Sequence, residues 1–269
     1  HAPGLTGKGL NAYLAAGPRS DHESTRLEEG RDKLRRGMHL MIREGTTEKN
    51  LEELLSLVTD DTYPRCLLVV DDRSARDLLH DGDLDAVVRK AIRLGLNPLR
   101  AVQLATINPA TYFGLSARGG IAPGYVANLI VTDDLSDLRA QQVYYRGQLV
   151  ASEGRALFPA AIPVPRRLLH TVHIAPFGPE AFALRTSERR LPVIEIVPGQ
   201  IITRKVMEDV RLEDGQADAR RVLADTERDI LKLAVVERHH ATGNVGLGLV
   251  KGFGLRRGAL ASSFAHDSH

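Results

Sequence analysis

Histidine and carboxylate side chains stand at three points of the chain where a loop is expected to follow a sheet strand. They are His1, the run Asp21-His22-Glu23, and the pair Asp71-Asp72. Imidazoles and carboxylates are suitable ligands for zinc, iron or manganese, and a hydrolytic metal site leaves one position for water. Because the strands of an α/β barrel carry their chemistry at one rim, we expect the three groups to meet there. The pattern indicates a metal-dependent hydrolytic site.

Simpler interpretations stay open for each group. Aspartate is a preferred helix N-cap, so Asp71 and Asp72 would also serve to begin the next helix. A lone histidine such as His22 is more often a surface or hydrogen-bonded residue than a metal ligand, because imidazole fills many roles. The order of the groups along one rim is what favours the metal site.

The elements that must position these side chains follow from the hydrophobic pattern. Residues 66–70 are a continuous apolar run, which predicts a strand buried on both faces and ending at the aspartates. The apolar spacing predicts helices over residues 9–16, 28–41 and 83–94, and helices that begin near residues 46–50, 98 and 108. Helices alternating with short strands indicate βα units and a parallel sheet, with room for about half of the eight strands of a closed barrel.

The pattern changes after residue 119 to short strands and turns. Residues 120–131 predict a turn and a strand, and residues 142–150 predict a hairpin that turns at Arg146-Gly147. The proline-punctuated residues 157–165 are the best linker candidate. Beyond it, residues 193–206 indicate β-structure, residues 220–236 fit a helix or a strand, and residues 243–261 fit strands and turns.

Composition narrows the class of protein. The chain has 269 residues, of which 43% are hydrophobic and 26% charged, as is typical of soluble globular proteins. Its net charge of +2 gives no strong field that would attract nucleic acid, and no apolar run approaches the roughly 20 residues of a membrane span. The single cysteine, Cys66, excludes a disulfide within the chain. We therefore expect a cytoplasmic protein with neither a nucleic-acid nor a membrane partner.

Several short motifs resemble those of bacterial adenine deaminase, a family within the amidohydrolase superfamily. The most specific are His-Ala-Pro-Gly-Leu at residues 1–5, Ser-Asp-His-Glu at 20–23 and Glu-Arg-His-His at 237–240. Val-Asp-Asp-Arg at 70–73 belongs with them, whereas the Asn-Pro-Ala and Ala-Pro-Gly pieces at 108–110 and 122–124 are shared more widely in the superfamily. The resemblance runs from His1 to His269.

The resemblance implies a fold class and a domain plan. The chain would be an α/β protein, with the C-terminal half of a metal-dependent hydrolase (β/α)8 barrel over residues 1–118. A small β-sandwich segment over residues 119–160 and an incomplete, mixed α/β C-terminal domain of the adenine-deaminase type over residues 161–269 would follow.

The resemblance also implies an activity, which is hydrolysis of adenine to hypoxanthine and ammonia in purine salvage by attack of a metal-bound hydroxide. His1 and His22 match ligand histidines after the fifth and sixth barrel strands, and Asp71 matches the aspartate after the eighth strand, which both touches a metal and takes the proton of the attacking water. Glu23 is expected to handle the purine as a second catalytic residue, and Asp72 and Arg73 to bind it. The cofactor would be a divalent metal, binuclear, with manganese or iron favoured and zinc as the alternative. The partners would be adenine and water, in a homo-oligomer.

The chain also departs from the family pattern. The superfamily places a His-x-His pair after its first strand and this family a bridging carboxylate after its fourth, and neither is in the sequence. We therefore expect an internal segment of a longer polypeptide, cut at both ends and inactive as a deaminase when expressed alone. Two alternatives remain, which are an amidohydrolase that opens another cyclic amidine or amide, and a non-catalytic module.

The histidines and glycines near the C-terminus do not indicate a second functional site. His239, His240, His266 and His269 are more simply explained as surface imidazoles near glycine turns than as a second metal site, because no third ligand is evident. The glycine-rich residues 246–254 lack the strand-loop-helix context of a phosphate loop.

Overall fold

The computed structural model describes residues 1–159, 163–215 and 218–262. The chain forms two compact units, His1–Ala161 and Ile162–His269. The boundary between them falls within the predicted linker at residues 157–165. The predicted division of the first unit near residue 118 stays a prediction.

The first unit begins with a three-stranded parallel sheet flanked by helices. The strands are β1 (Ser20–Asp21), β2 (His39–Arg43) and β3 (Cys66–Val69), and they lie in the order β1-β2-β3. The helices are α1 (Gly7–Ala15), α2 (Leu27–Arg35), α3 (Leu51–Leu54), α4 (Ala75–His80), α5 (Leu84–Arg93), α6 (Pro98–Ala105) and α7 (Ile107–Tyr112). The α/β character and the strand ending at the aspartates are as predicted, although β3 ends one residue earlier, at Val69.

Local sequence explains where the flanking helices begin and end. Helix α6 begins at Pro98, and the side chain of Asn97 caps it by accepting hydrogen bonds from the main-chain N–H groups of Leu99 and Arg100. Helix α5 is followed by Gly95 at φ +98°, a conformation that glycine adopts without strain. Both helices pack on β3 and share one core with β2, whose buried residues include Leu40, Ile42, Leu68, Val87, Ala91 and Leu104.

The predicted helix over residues 28–41 is wrong in its last six residues. Helix α2 ends at Arg35, and the chain turns at Gly37, at φ +88°, into strand β2. Leu40 and Ile42 are fully buried and alternate with the more exposed His39 and Met41, which is the period of a strand. A short apolar run fits either element when it directly follows a helical pattern, so the periodicity alone did not separate them.

The rest of the first unit is one antiparallel sheet. It contains β4 (Leu129–Val131), β5 (Gln142–Tyr145), β6 (Gln148–Ser152) and β7 (Arg155–Ala156), in that order. The predicted hairpin at Arg146-Gly147 is confirmed, and both residues have the positive φ of a type I′ turn. The predicted β-sandwich segment stays a prediction, since one of its layers is seen in the described residues of this unit. They supply no second antiparallel layer, and large apolar side chains such as Ile130 and Tyr145 are exposed on this sheet.

The second unit is built from strands. They are β8 (Arg185–Thr186), β9 (Arg190–Ile196), β10 (Thr203–Asp209), β11 (Arg211–Leu212), β12 (Arg220–Leu223), β13 (Ile230–Val236) and β14 (Val245–Lys251). They form sheets of order β10-β9-β14-β13 and β11-β12-β8 around Val193, Val222, Ile230 and Leu249.

The expected mixed α/β character of the second unit stays a prediction. Its described residues contain 3-10 turns but no α-helix. The ambiguous residues 220–236 form two strands, because β13 is paired along its whole length with β14. In the part of the chain that the structure describes, no helix is long and apolar enough to cross a membrane.

Candidate metal centre

Three of the predicted site residues come together at the carboxyl end of β1. The nearest ligand atoms of His1, His22 and Glu23 all lie within 4.8 Å of one another. His1 Nδ1 is 2.8 Å from Glu23 Oε1, and His22 Nε2 is 3.5 Å from the same oxygen. The two imidazole rings meet edge to face, with centroids 4.7 Å apart. Two imidazoles and a carboxylate that converge in this way form a donor set that fits a divalent zinc, iron or manganese ion.

Asp71 reaches the same cluster from the end of β3. Its Oδ2 lies 3.8 Å from His22 Nε2, at the border of a direct interaction. The residue has φ +61°, a conformation that is uncommon outside glycine and that aspartate tolerates better than most residues. Such backbone strain is found more often at functional sites than elsewhere.

The alternative that Asp71 and Asp72 cap the next helix does not hold. The N-cap of α4 is Ser74, whose Oγ accepts a hydrogen bond from the main-chain N–H of Asp77 at 3.1 Å. The aspartate pair lies before that cap, in the loop between β3 and α4. Asp71 is therefore left available for the cluster.

The loop that presents Asp71 is held against the end of β2. The main-chain N–H of Thr46 donates to the carbonyl oxygen of Asp72 at 2.9 Å. The preceding residue, Gly45, lies so close to this loop that a Cβ on it would stand only 2.8 Å from the carbonyl oxygens of Val70 and Asp72. This close approach explains why glycine occupies the position.

Arg43 is the residue of the cluster that the sequence did not indicate. It stands at the end of β2, its side chain is completely buried, and its Nη1 donates to Glu23 Oε2 at 3.0 Å and to Asp71 Oδ2 at 2.8 Å. A position at the end of an apolar strand would have indicated a site residue. Strand β2 was not predicted, however, because its first residues were assigned to the helix over residues 28–41.

A second buried network holds the loops that carry the histidines. Lys33 Nζ lies 2.8 Å from Asp21 Oδ2 and 2.7 Å from Glu29 Oε1, and it also donates to the carbonyl oxygen of Ala2 at 2.7 Å. The other Asp21 oxygen accepts the main-chain N–H of Ala2 at 2.8 Å. The residues next to His1 and His22 are thus tied to one ammonium group.

The charge of Lys33 also sets the state of Asp21. Burial acts to raise the pKa of the Asp21 carboxyl, but the hydrogen bond and the positive charge of Lys33 outweigh it. The pKa of Asp21 therefore lies below its ordinary value, and the carboxylate is ionised at neutral pH.

The two residues expected to bind the purine occupy different surroundings. Arg73 Nε donates to the carbonyl oxygen of Gly82 at 2.6 Å, and Nη1 lies 3.4 Å from that of Glu44. These bonds fasten the loop after β3. Asp72 is exposed beside it. A role of either residue in binding a ring stays a prediction.

The late histidines are not gathered into a comparable cluster. Over residues 1–159, 163–215 and 218–262, the ligand-type group consists of His1, His22 and Glu23. Hydrogen bonds from the main-chain N–H groups of Thr242 and His240 lower the pKa of Glu237 to about 2, so this carboxylate organises the turn. His266 and His269 lie outside the described residues.

Comparison with known proteins matches both ends of the chain. Residues 1–152 match the amidohydrolase family, and residues 200–269 match the adenine deaminase C-terminal domain. An adenine deaminase of Dehalococcoides mccartyi strain BAV1 is 57% identical over 269 residues, covering 100% of this chain and 46% of the relative. The adenine deaminase of Desulfatibacillum aliphaticivorans is 46% identical over the same coverage. The resemblance inferred from the motifs is confirmed over the whole chain, which spans about half the length of these relatives.

A fainter structural likeness is also found. The β-aspartyl dipeptidase of Fervidobacterium islandicum AW-1 shares 16% identity over 48% of this chain and 37% of its own, with a TM-score of 0.39. A likeness of this size does not establish a fold.

Proposed function

The chain belongs to the amidohydrolase family, and we propose that the protein that carries it hydrolyses adenine to hypoxanthine and ammonia. The observation that carries the proposal is the convergence of His1, His22, Glu23 and Asp71 at the carboxyl ends of β1 and β3. Similarity to adenine deaminases along the full chain supports the choice of adenine over another cyclic amidine or amide.

The metal would be held by these same side chains. His1 and His22 supply imidazole nitrogens, Asp71 supplies a carboxylate oxygen, and Glu23 stands close enough to the imidazoles to serve as a ligand as well. Within the proposal the centre is binuclear and takes manganese or iron, with zinc as the alternative. A bound divalent metal supplies a water whose pKa is lowered from 15.7 to roughly 7.

Asp71 is the proposed proton acceptor. Water adds to the ring carbon that bears the amino group, the carbon–nitrogen bond to that group breaks, and ammonia leaves. Asp71 takes the proton of the attacking water and passes it towards the departing nitrogen, as a general base and then a general acid. Its place between His22 and Arg43 keeps the carboxylate within the cluster.

Glu23 is the proposed second catalytic residue: it takes up the proton of the added hydroxyl and delivers it to the neighbouring nitrogen of the ring, so that the ring carbon becomes the carbonyl carbon of hypoxanthine. Asp72 and Arg73 complete the proposal as purine-binding residues, on the loop that follows Asp71. The side chain of His1 is largely exposed, and the proposed route of the purine to the cluster is on that side.

The wider setting of the proposal is purine salvage in the cytoplasm, by a homo-oligomer whose partners are adenine and water. The nearly balanced charge, with 36 basic and 34 acidic residues, supports a small-molecule substrate over nucleic acid.

The test uses a chimera in which the parts of the Dehalococcoides mccartyi relative outside the matched region are joined to this chain in their own order. Loaded with Mn(II), the chimera should release ammonia from adenine. Asp71→Asn keeps the size of the side chain but removes its charge and basicity, and turnover should fall about 10²–10⁴-fold, as for a lost acid–base group.

Asp133→Asn is the matched control, because Asp133 is an exposed aspartate in the loop after β4. It should keep full turnover. A folded, metal-loaded chimera that acts on a hydantoin or dihydropyrimidine and not on adenine would overturn the proposed substrate. Full turnover in Asp71→Asn would remove Asp71 from the reaction.

A further inference from the structure

Arg43 joins the two loops that carry the candidate carboxylates. A single nitrogen, Nη1, lies 3.0 Å from Glu23 Oε2, on the loop after β1, and 2.8 Å from Asp71 Oδ2, on the loop after β3. The side chain of Arg43 has no exposed surface. Burying a guanidinium is costly unless it is paired, so its placement between these two carboxylates is specific.

The two oxygens of Glu23 have different neighbours. Oε2 accepts from Arg43, whereas Oε1 faces His1 Nδ1 at 2.8 Å and His22 Nε2 at 3.5 Å. A carboxylate held by one oxygen cannot rotate freely, so the bond to Arg43 fixes the direction of the other oxygen.

We infer that Arg43 is a positioning residue of the metal centre, which directs Glu23 Oε1 towards the imidazoles and anchors Asp71 beside them. The inference rests on the proposed function, because it requires a metal at His1, His22 and Glu23. It adds a residue to which neither the motifs nor the comparisons assign a role.

Two effects of Arg43 on metal affinity have opposite signs. A cation next to a metal site repels the metal, so its removal would tighten binding. A group that orients the ligands prepares the site, and loss of such an outer partner typically weakens metal affinity or activity 10–100-fold. Without Arg43, the carboxylates of Glu23 and Asp71 would also repel each other and move apart. Positioning therefore predicts weaker binding, whereas simple charge balance predicts tighter binding.

The experiment is titration of the chimera with Mn(II), with the free ion followed by electron paramagnetic resonance. Arg43→Met should weaken Mn(II) binding about 10–100-fold. Arg43→Lys keeps the charge, but its ammonium stands one bond short of Nη1 and cannot keep both contacts at their lengths, so we expect a loss of about 10-fold. Lys90→Met is the matched control, because Lys90 pairs with Glu44, which directly follows the same strand. The Mn(II) affinity of this variant should equal that of the wild-type chimera.

A double variant tests whether Arg43 acts through Glu23. The loss in Arg43→Met/Glu23→Gln should be smaller than the two single losses combined, because both remove the same orientation of Oε1. Fully independent losses would overturn the inference. Unchanged or tighter Mn(II) binding in Arg43→Met would also overturn it and make Arg43 a competing cation.

If Arg43→Met does not fold, Arg43→Lys decides the question, since wild-type affinity there would show that charge alone suffices. A wild-type chimera that binds no Mn(II) would remove the metal centre and the inference together. Mn(II) binding and adenine turnover that both survive in the Arg43 variants would overturn the inference alone and leave the proposed function standing.

Discussion

Lys33 and Arg43 are both fully buried cations, and each binds a carboxylate near the carboxyl end of β1, but they differ in how completely they are hydrogen-bonded. Four oxygen atoms surround the ammonium of Lys33, from Ala2, Asp21, Ser24 and Glu29, at 2.7 to 2.9 Å. Arg43 places both of its carboxylate contacts on Nη1, and its buried Nε has no hydrogen-bond partner among the described residues.

The partners of the two cations differ in the same way. The oxygens of Asp21 also accept main-chain N–H groups, so the Lys33 network closes on itself. Glu23, two residues later, turns its second oxygen towards two imidazoles, with His1 Nδ1 at 2.8 Å and His22 Nε2 at 3.5 Å. The Lys33 network is closed and holds main-chain groups in place, whereas the Arg43 network is open and includes the candidate ligand atoms. The comparison therefore separates the support of the site from the site itself.

The strongest way to break this comparison is Lys33→Met, which keeps the length of the side chain and removes its charge. Two carboxylates would be left buried without their cation, and such a loss typically costs 3–5 kcal/mol. We expect the free energy of unfolding to fall by about 3–5 kcal/mol. Urea unfolding followed by tyrosine fluorescence reports on the first unit, because the chain has no tryptophan and its 6 tyrosines all lie there.

The control for Lys33→Met is Arg139→Met, which breaks an exposed pair with Asp137. Its effect should stay within about 0.5 kcal/mol, as for most surface changes. If the two variants lost equal stability, the Lys33 network would not be a special support.

His22→Ala and Glu23→Gln sharpen the comparison because they change the candidate ligands of the open network. His22→Ala should lower the metal content of the chimera, because an imidazole ligand is lost. If Glu23 handles the purine only, Glu23→Gln should keep the metal and lose turnover about 10²–10⁴-fold. The contact of Oε1 with His1 and His22 makes Glu23 a candidate ligand as well, and joint loss of metal in both variants would establish that role.

The measurement is metal stoichiometry and adenine turnover on each purified variant. Unchanged turnover in Glu23→Gln would exclude Glu23 from both roles. Unchanged metal content in His22→Ala would contradict the assignment of His22 as a ligand.

The sequence was sufficient to predict the elements that have clear local signals. The apolar run before Asp71 predicted strand β3 to within one residue, and Asn97-Pro98 predicted the residue at which helix α6 begins. The hairpin at Arg146-Gly147 followed from its turn residues in the same way. These features depend on residues that are neighbours in the chain, so a pattern over a few residues is enough to predict them.

The two buried cations could not be predicted in this way. Lysine and arginine are almost never fully buried, so the sequence alone suggests that Lys33 and Arg43 are exposed. Their burial depends on carboxylates that approach from other elements, at separations of 12 residues for Asp21 and 28 residues for Asp71. The strand β2 was missed for a related reason, because its pairing with β1 and β3 is set by the sheet and not by its own sequence.

The smallest expected effect is a change in the pH dependence of stability. In the wild-type chain, the pKa of Asp21 lies below its ordinary value of 3.8. A carboxyl whose pKa is lowered in the folded state stabilises the fold above the unfolded pKa and loses that contribution as the pH falls through the folded pKa. The Asp21 contribution should therefore be complete at pH 5 and decline below about pH 4.

Lys33→Met should reverse the sign of this contribution. Without the cation, burial is the dominant effect on Asp21 and raises its pKa above 3.8. Protonation then relieves a buried charge, so the variant should regain part of its lost stability as the pH falls from about 7 to 4. The measurement is the free energy of unfolding of the wild-type chain and of Lys33→Met at a series of pH values. The difference between them should narrow on acidification, whereas a constant difference would show that Asp21 does not depend on Lys33 for its charge.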